Sequence, residues 1–187
     1  PGFGLVPAKG GGTGGAVPMA FALAKSLNGC AAYLMKQIGA RRFVDFLKSC
    51  DVQTEIHPYP SIALGSCEIS LYEMLWMYSM FPGQGFNTKP ILIDRIEDRN
   101  GNTIENFRNK PIHKEVIGEG TAYTMCRMMQ GCVDFGTGRS MHDYGVRPAE
   151  MGGKTGTTND NTDAWFMGYT PELLAGAWVG CDNSFIK

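Results

Sequence analysis

The sequence is poor in the features that mark metal, nucleic-acid or membrane chemistry. It has three histidines, His57, His113 and His142, and none sits at a recognised ligand spacing. No Cys-x-x-Cys pair occurs among its six cysteines, so a zinc site is not expected. Basic residues are not in excess. The 17 Lys and Arg against 18 Asp and Glu leave a net charge of -1, which argues against a broad phosphate-binding face. No apolar run is long enough to cross a bilayer, and no signal peptide opens the chain. The start at Pro1, without a methionine, points to a shortened chain from which a natural anchor or export signal can have been removed.

What remains describes an ordinary globular protein. The 187 residues suit one sizeable domain, and 43% hydrophobic with 19% charged content is typical. Six thiols allow 15 full pairings, so spacing assigns no disulfide. Most of the cysteines sit in apolar text, such as Gly29-Cys30-Ala31-Ala32 and Trp178-Val179-Gly180-Cys181. They read as small buried hydrophobes.

Residues 1–16 are glycine-rich and read as a flexible linker or the scar of an excised segment. A short helix is expected from Val17 to Lys25, interrupted by Ser26-Leu27-Asn28. Two more follow over 30–38 and 40–49, broken at Gly39, with Phe43, Phe46 and Leu47 on one face of the second. Ser70-Leu71-Tyr72-Glu73 is a capping-box pattern opening a helix to about Phe81, where Pro82-Gly83 stops it. Residues 91–96 and 103–107 flank Asn100-Gly101, a strong hairpin signal. A Met-rich helix over 119–133 closes around Gly131, and Gly136-Thr137-Gly138 is a loop. Strands are expected over 150–157, 163–169 and 173–181. Helices followed by antiparallel strands give an α+β layered class.

The densest chemistry lies in Lys154-Thr155-Gly156-Thr157-Thr158. A cation and several hydroxyls on one strand can bind a peptide carboxylate, and Gly156 lets a ligand backbone approach closely. The bland alternative is a polar edge strand guarded by a lysine. Ser26 and Asn28, between apolar helical segments, by themselves fit a helix cap. Asp163 reads as a turn or strand-start residue and Trp165 as packing.

Lys154-Thr155-Gly156 together with Ser26-Leu27-Asn28 resembles two of the three signature motifs of serine penicillin-recognising enzymes. The flanking text, Ala22-Leu23-Ala24-Lys25, Ala63-Leu64-Gly65-Ser66 through Glu73-Met74, Gly153 through Gly168 and Ala177 through Asp182, resembles the transpeptidase domain of class A penicillin-binding proteins. The resemblance runs from about Val17 to the C-terminus. It implies a penicillin-binding protein and serine β-lactamase-like fold, an antiparallel sheet packed with helices, incomplete in this chain.

The resemblance also implies a reaction. A serine attacks the bond between two terminal D-alanines of a peptidoglycan stem peptide, and an amine from a neighbouring stem then takes the acyl group. Ser26 would relay protons, Asn28 would hold the substrate amide and the general base, and Lys154 would supply positive charge. Thr155 and Thr157 would bind the carboxylate, with the Thr157 N–H serving the oxyanion hole. The implied partners are stem peptides, β-lactams and other cell-wall synthesis proteins, with no nucleic acid and no metal or organic cofactor. The implied location is the bacterial envelope, on the outer face of the cytoplasmic membrane, reached through an N-terminal anchor missing from this chain.

One motif of the family is not where the resemblance requires it. Ser-x-x-Lys, which holds the nucleophile and its activating lysine, should precede Ser26, yet residues 1–25 contain none. The chain's single match is Ser184-Phe185-Ile186-Lys187, at the extreme C-terminus. It reads as coincidence, and residues 17–187 read as a partial transpeptidase domain. Two other classes stay open, a non-catalytic peptidoglycan- or β-lactam-binding module and a β-lactamase-like hydrolase. The hydrolase would need an acid such as Glu68 or Glu73 near the acyl bond.

Overall fold

The computed structural model describes residues 4–7, 15–108, 112–146, 150–158 and 161–181. The first ordered feature lies inside the stretch expected to be a flexible connection. Strand β1, Leu5–Pro7, pairs antiparallel with β2, Ala16–Pro18. Val6 is only 2% exposed and packs with Ala22 and Cys30. Residues 1–16 therefore contribute a strand and a core side chain, while 8–14, most of the glycine run, fall outside the described residues.

Helix α1 spans Met19–Ala24, two residues shorter at its start than the pattern suggested. Pro18 disfavours helical geometry at Val17, so the chain stays extended until the proline has passed. Asn28–Ile38 forms α2, and Gly39, at φ 85°, turns the chain into α3, Ala40–Ser49. The buried face of α3 is Val44 and Leu47 with Phe43 packed beside them. They meet Met35, Val52, Ile56 and Ile62 in one apolar cluster.

The capping box forms as expected and opens α4, Leu71–Tyr78. Its Glu73 is 9% exposed and ties down the preceding loop. The carboxylate accepts from the Gln53 and Thr54 N–H groups and from the Thr54 and Ser70 hydroxyls. Burial opposes its ionisation, but these donors outweigh that cost and hold the carboxyl at about 2.

Beyond α4, β3 (Phe86–Thr88) precedes the expected hairpin of β4 (Arg95–Glu97) and β5 (Thr103–Asn106). Residues 91–94 do not join β4. Asp98 holds the turn by accepting from the Asn100 and Asn102 N–H groups. Strand β6, His113–Glu115, returns to pair with β3, a contact no local pattern announced. Helix α5, Glu119–Asp134, runs through Gly131 rather than closing there. A Cβ at Gly131 would meet the Phe135 ring at 3.0 Å and the Ala24 methyl at 3.4 Å, so the glycine lets α5 approach α1.

The chain ends in an antiparallel sheet of β7 (Gly152–Thr157), β8 (Asp163–Tyr169) and β9 (Leu174–Gly180), in that order. Helix α5 packs against β7 and α1, and α4 packs against β9. Trp165 lies opposite Trp178 across β8 and β9, and the Trp178 indole donates to Asp163 at 2.8 Å. This fixes the packing and strand-start roles expected of Trp165 and Asp163. Cys30, Cys50 and Cys132 are buried as small apolar residues, whereas Cys181 is exposed, contrary to its apolar flanks. Among the described residues, no helix is long and apolar enough to cross a membrane.

Candidate active site

Ser26 owes its position to the way α1 ends. The Leu27 N–H bonds to the Ala22 carbonyl and the Ser26 N–H to the Leu23 carbonyl, the paired bonds of a Schellman motif. Ser26 occupies the left-handed position of that motif, at φ 52°. Glycine is the usual choice there, because a Cβ in this conformation costs roughly 1–2 kcal/mol. Ser26 carries that cost and places its hydroxyl at the turn. Neither Ser26 nor Asn28 caps α2 with its side chain. Leu27 is the N-cap and Asn28 the first helical residue. The capping alternative is removed.

Lys154 reaches this turn from the second half of the chain. Its Nζ donates to Ser26 Oγ at 2.9 Å and to the Thr155 carbonyl at 2.8 Å. Residues 26 and 154 are 128 positions apart, and the packing of α1 and β7 on α5 helps to bring them together. Lys154 is half-buried, and desolvation pulls its pKa below the usual lysine range, with Cys132 nearby acting in the opposite direction.

The motif residues share one cavity of about 430 Å³. Ser26, Asn28, Lys154, Thr155, Gly156 and Thr157 all line it, with an apolar wall that includes Leu34, Leu64, Met125 and Met128. Among the described residues that line it there is no Asp or Glu, and Lys154 is their charged side chain. That positive charge suits an anionic ligand. Glu73 is occupied as the cap of α4. Asn28 and Thr157 are exposed and, among the described residues, their side chains make no hydrogen bond, which leaves them free for a ligand. Gly156 has a second reason to lack a side chain, since an added Cβ would lie 3.3 Å from the Trp165 Cβ. The terminal Ser184-Phe185-Ile186-Lys187 falls outside the described residues.

Sequence reasoning passed over Thr137 and Lys25. The Thr137 hydroxyl meets the Thr155 hydroxyl at 2.5 Å, and its N–H donates to the Ala24 carbonyl at 3.1 Å. Lys25 donates to the Phe135 carbonyl at 2.6 Å. The loop after α5 is thus tied both to the Ser26 turn and to β7. Gly136 makes this possible, because a Cβ there would fall 2.2 Å from the Ala24 carbonyl oxygen. The only hint in the sequence was the Gly-Thr-Gly spacing, which marked a loop.

Residues 9–177 match the family described as penicillin binding protein transpeptidase domain. Penicillin-binding protein 1A of Aquifex aeolicus is 34% identical over 168 residues, 90% of this chain but 22% of that protein. The chain therefore spans about a fifth of that relative's length. The crystal structure of penicillin-binding protein 1A from Haemophilus influenzae superposes with a TM-score of 0.81 at 21% identity, covering 91% of this chain and 31% of the other. PonA1 from Mycobacterium tuberculosis in complex with penicillin V gives 0.73 at 23% identity, over 89% and 48%. The fold expected from the motifs is the fold these structures share.

Proposed function

The chain belongs to the penicillin-binding protein transpeptidase family, and from that membership we propose that it is the C-terminal portion of the transpeptidase domain of a class A enzyme. The parent protein cross-links peptidoglycan stem peptides through a serine acyl-enzyme formed at a D-Ala-D-Ala terminus, and β-lactams acylate the same serine. Its nucleophile belongs to a Ser-x-x-Lys segment outside this chain. The work is done on the outer face of the cytoplasmic membrane, where the polymer is assembled.

The observation that carries this reading is the 2.9 Å bond between Lys154 Nζ and Ser26 Oγ, inside a cavity that Thr155 and Thr157 also line. A half-buried ammonium polarises the Ser26 hydroxyl for proton transfer to and from the departing and incoming amines. The same charge attracts the substrate carboxylate, and the Thr155 and Thr157 hydroxyls offer it donors. Asn28 can hold the substrate amide through its free carboxamide. A purely binding module would have no need of a strained serine beside a desolvated lysine.

The test is acylation of the parent protein by a fluorescent penicillin. The parent should label, and Lys154→Ala should slow labelling by roughly a hundredfold. This chain alone should stay unlabelled, for want of a nucleophile activated by a neighbouring lysine. A parent that never labels, or a Lys154→Ala variant that labels at the parental rate, would overturn the assignment. Label mapped to Ser184 would make the terminal motif the nucleophile.

A further inference from the structure

Beside the cavity a row of three protons leads from the core, through the exposed Thr137, to the Thr155 hydroxyl. Cys132, on α5, is fully buried at 0% exposure. Its Sγ lies 3.3 Å from Thr137 Oγ1, and Thr137 Oγ1 lies 2.5 Å from Thr155 Oγ1. Thr155 lines the cavity and Thr137 does not. We propose that Thr137 is a positioning residue that fixes the Thr155 hydroxyl as a donor into the cavity, with the Cys132 thiol setting the direction of the row from behind. The inference rests on the carboxylate reading of Thr155 given above.

The direction follows from what each group can do. An ionised carboxylate only accepts, so a Thr155 hydroxyl that binds one must donate its single proton to it. The Thr155 oxygen is then free to accept, and the Thr137 hydroxyl at 2.5 Å is the donor beside it. Thr137 has used its proton, and its oxygen accepts from the Cys132 S–H. Each bond in such a row strengthens the next, because donating a proton leaves an oxygen a better acceptor and accepting one makes its own proton a better donor. Without the Thr137 hydroxyl, the Thr155 rotor is free to point its proton away from the ligand.

Thr137 is also held in place from the other side. Its N–H donates to the Ala24 carbonyl, two residues before Ser26. One residue therefore registers the Ser26 turn and the carboxylate strand against each other. A loop staple that served stability alone would need the backbone bond but not the aligned hydroxyl.

The experiment is a double-mutant cycle on penicillin acylation in the parent protein, run with a free-acid β-lactam and with its carboxyl ester. Thr137→Val keeps shape and backbone N–H but removes the hydroxyl. It should slow acylation by the free acid by roughly two- to tenfold, the worth of one neutral hydrogen bond, and slow the ester less. Thr137→Ser should restore the rate. In a Thr155→Val background, Thr137→Val should cost nothing further. Thr137→Ala, which also lacks the hydroxyl and adds no bulk, serves if the valine variant does not fold. Additive losses in the two variants, or equal losses for acid and ester, would overturn the inference while leaving the Thr155 reading intact. A Thr155→Val variant that acylates the free acid at the parental rate would overturn the carboxylate reading, and this inference with it.

Discussion

Ser26 accepts a hydrogen bond from Lys154 at 2.9 Å while its own backbone sits at φ 52°, a conformation that suits glycine better than serine. The fold thus tolerates local strain to hold one hydroxyl against one ammonium. Ser26→Gly should separate the two effects. It relieves the left-handed strain but loosens the unfolded chain, so stability should stay within about 1 kcal/mol of the parent, on the stabilising side. Acylation should fall by roughly a hundredfold, the usual share of a positioned proton relay. Thermal unfolding and penicillin labelling on the same sample measure both. A variant that loses stability and keeps its labelling rate would mean that Ser26 is a structural turn residue.

Desolvation lowers the pKa of Lys154, so its charge should be lost at a lower pH than that of a free lysine, whose ordinary value is 10.5. Because the cation is the form that attracts the carboxylate, acylation by a free-acid β-lactam should decline on the alkaline side below that pH. The ester, which has no anion to recognise, should show a shallower decline. Labelling rates against pH for the two compounds give the comparison. Coincident alkaline limbs would place the titration elsewhere.

The sequence was most readable where one local rule decides the structure. Ser70 and Glu73 satisfy each other within one helical turn, and Asn100-Gly101 sets its hairpin without outside help. The expected strands over 150–157, 163–169 and 173–181 contain β7, β8 and β9, and the two motifs of the resemblance bring Ser26 and Lys154 together. What was not readable depends on distant partners. Strand β1 needs β2 across a glycine run, and β3 needs β6 more than twenty residues on; both pairs are three residues long. Val6 is core because Ala22 and Cys30 cover it, not because its flanks are apolar. The left-handed φ of Ser26 and the contact of Thr137 with Thr155 leave no mark in composition or period.

Thr157 lines the cavity with an exposed hydroxyl that bonds to no described residue. Thr157→Val removes that donor and nearly keeps the side-chain shape, so the fold should hold. Loss of a hydrogen bond to a charged group should cost roughly 1.5–3 kcal/mol, or about ten- to a hundredfold in acylation efficiency if the contact tightens in the transition state. The penalty should shrink for a substrate whose terminal carboxylate is amidated. The same loss with amidated and free-acid substrates would show that this hydroxyl does not read the carboxylate.

Glu73 should contribute to the acid limit of the fold. Burial disfavours its charge, yet donors from Thr54, Ser70 and Gln53 bring the carboxyl from 4.5 down to about 2. The folded state therefore binds the ionised form more tightly than the unfolded state does. That stabilisation is complete above the unfolded value and is lost as pH falls through the folded one, a window from 4.5 down to about 2. Glu73→Gln keeps the size of the side chain but replaces one acceptor oxygen with a donor amide facing other donors. At neutral pH it should be less stable by about 1–3 kcal/mol. Its stability should then change less than the parent's across that acid window, so the two denaturation curves should converge as pH falls. Parallel curves would show that other carboxylates govern acid unfolding, and that Glu73 holds its loop by shape and neutral hydrogen bonding rather than by charge.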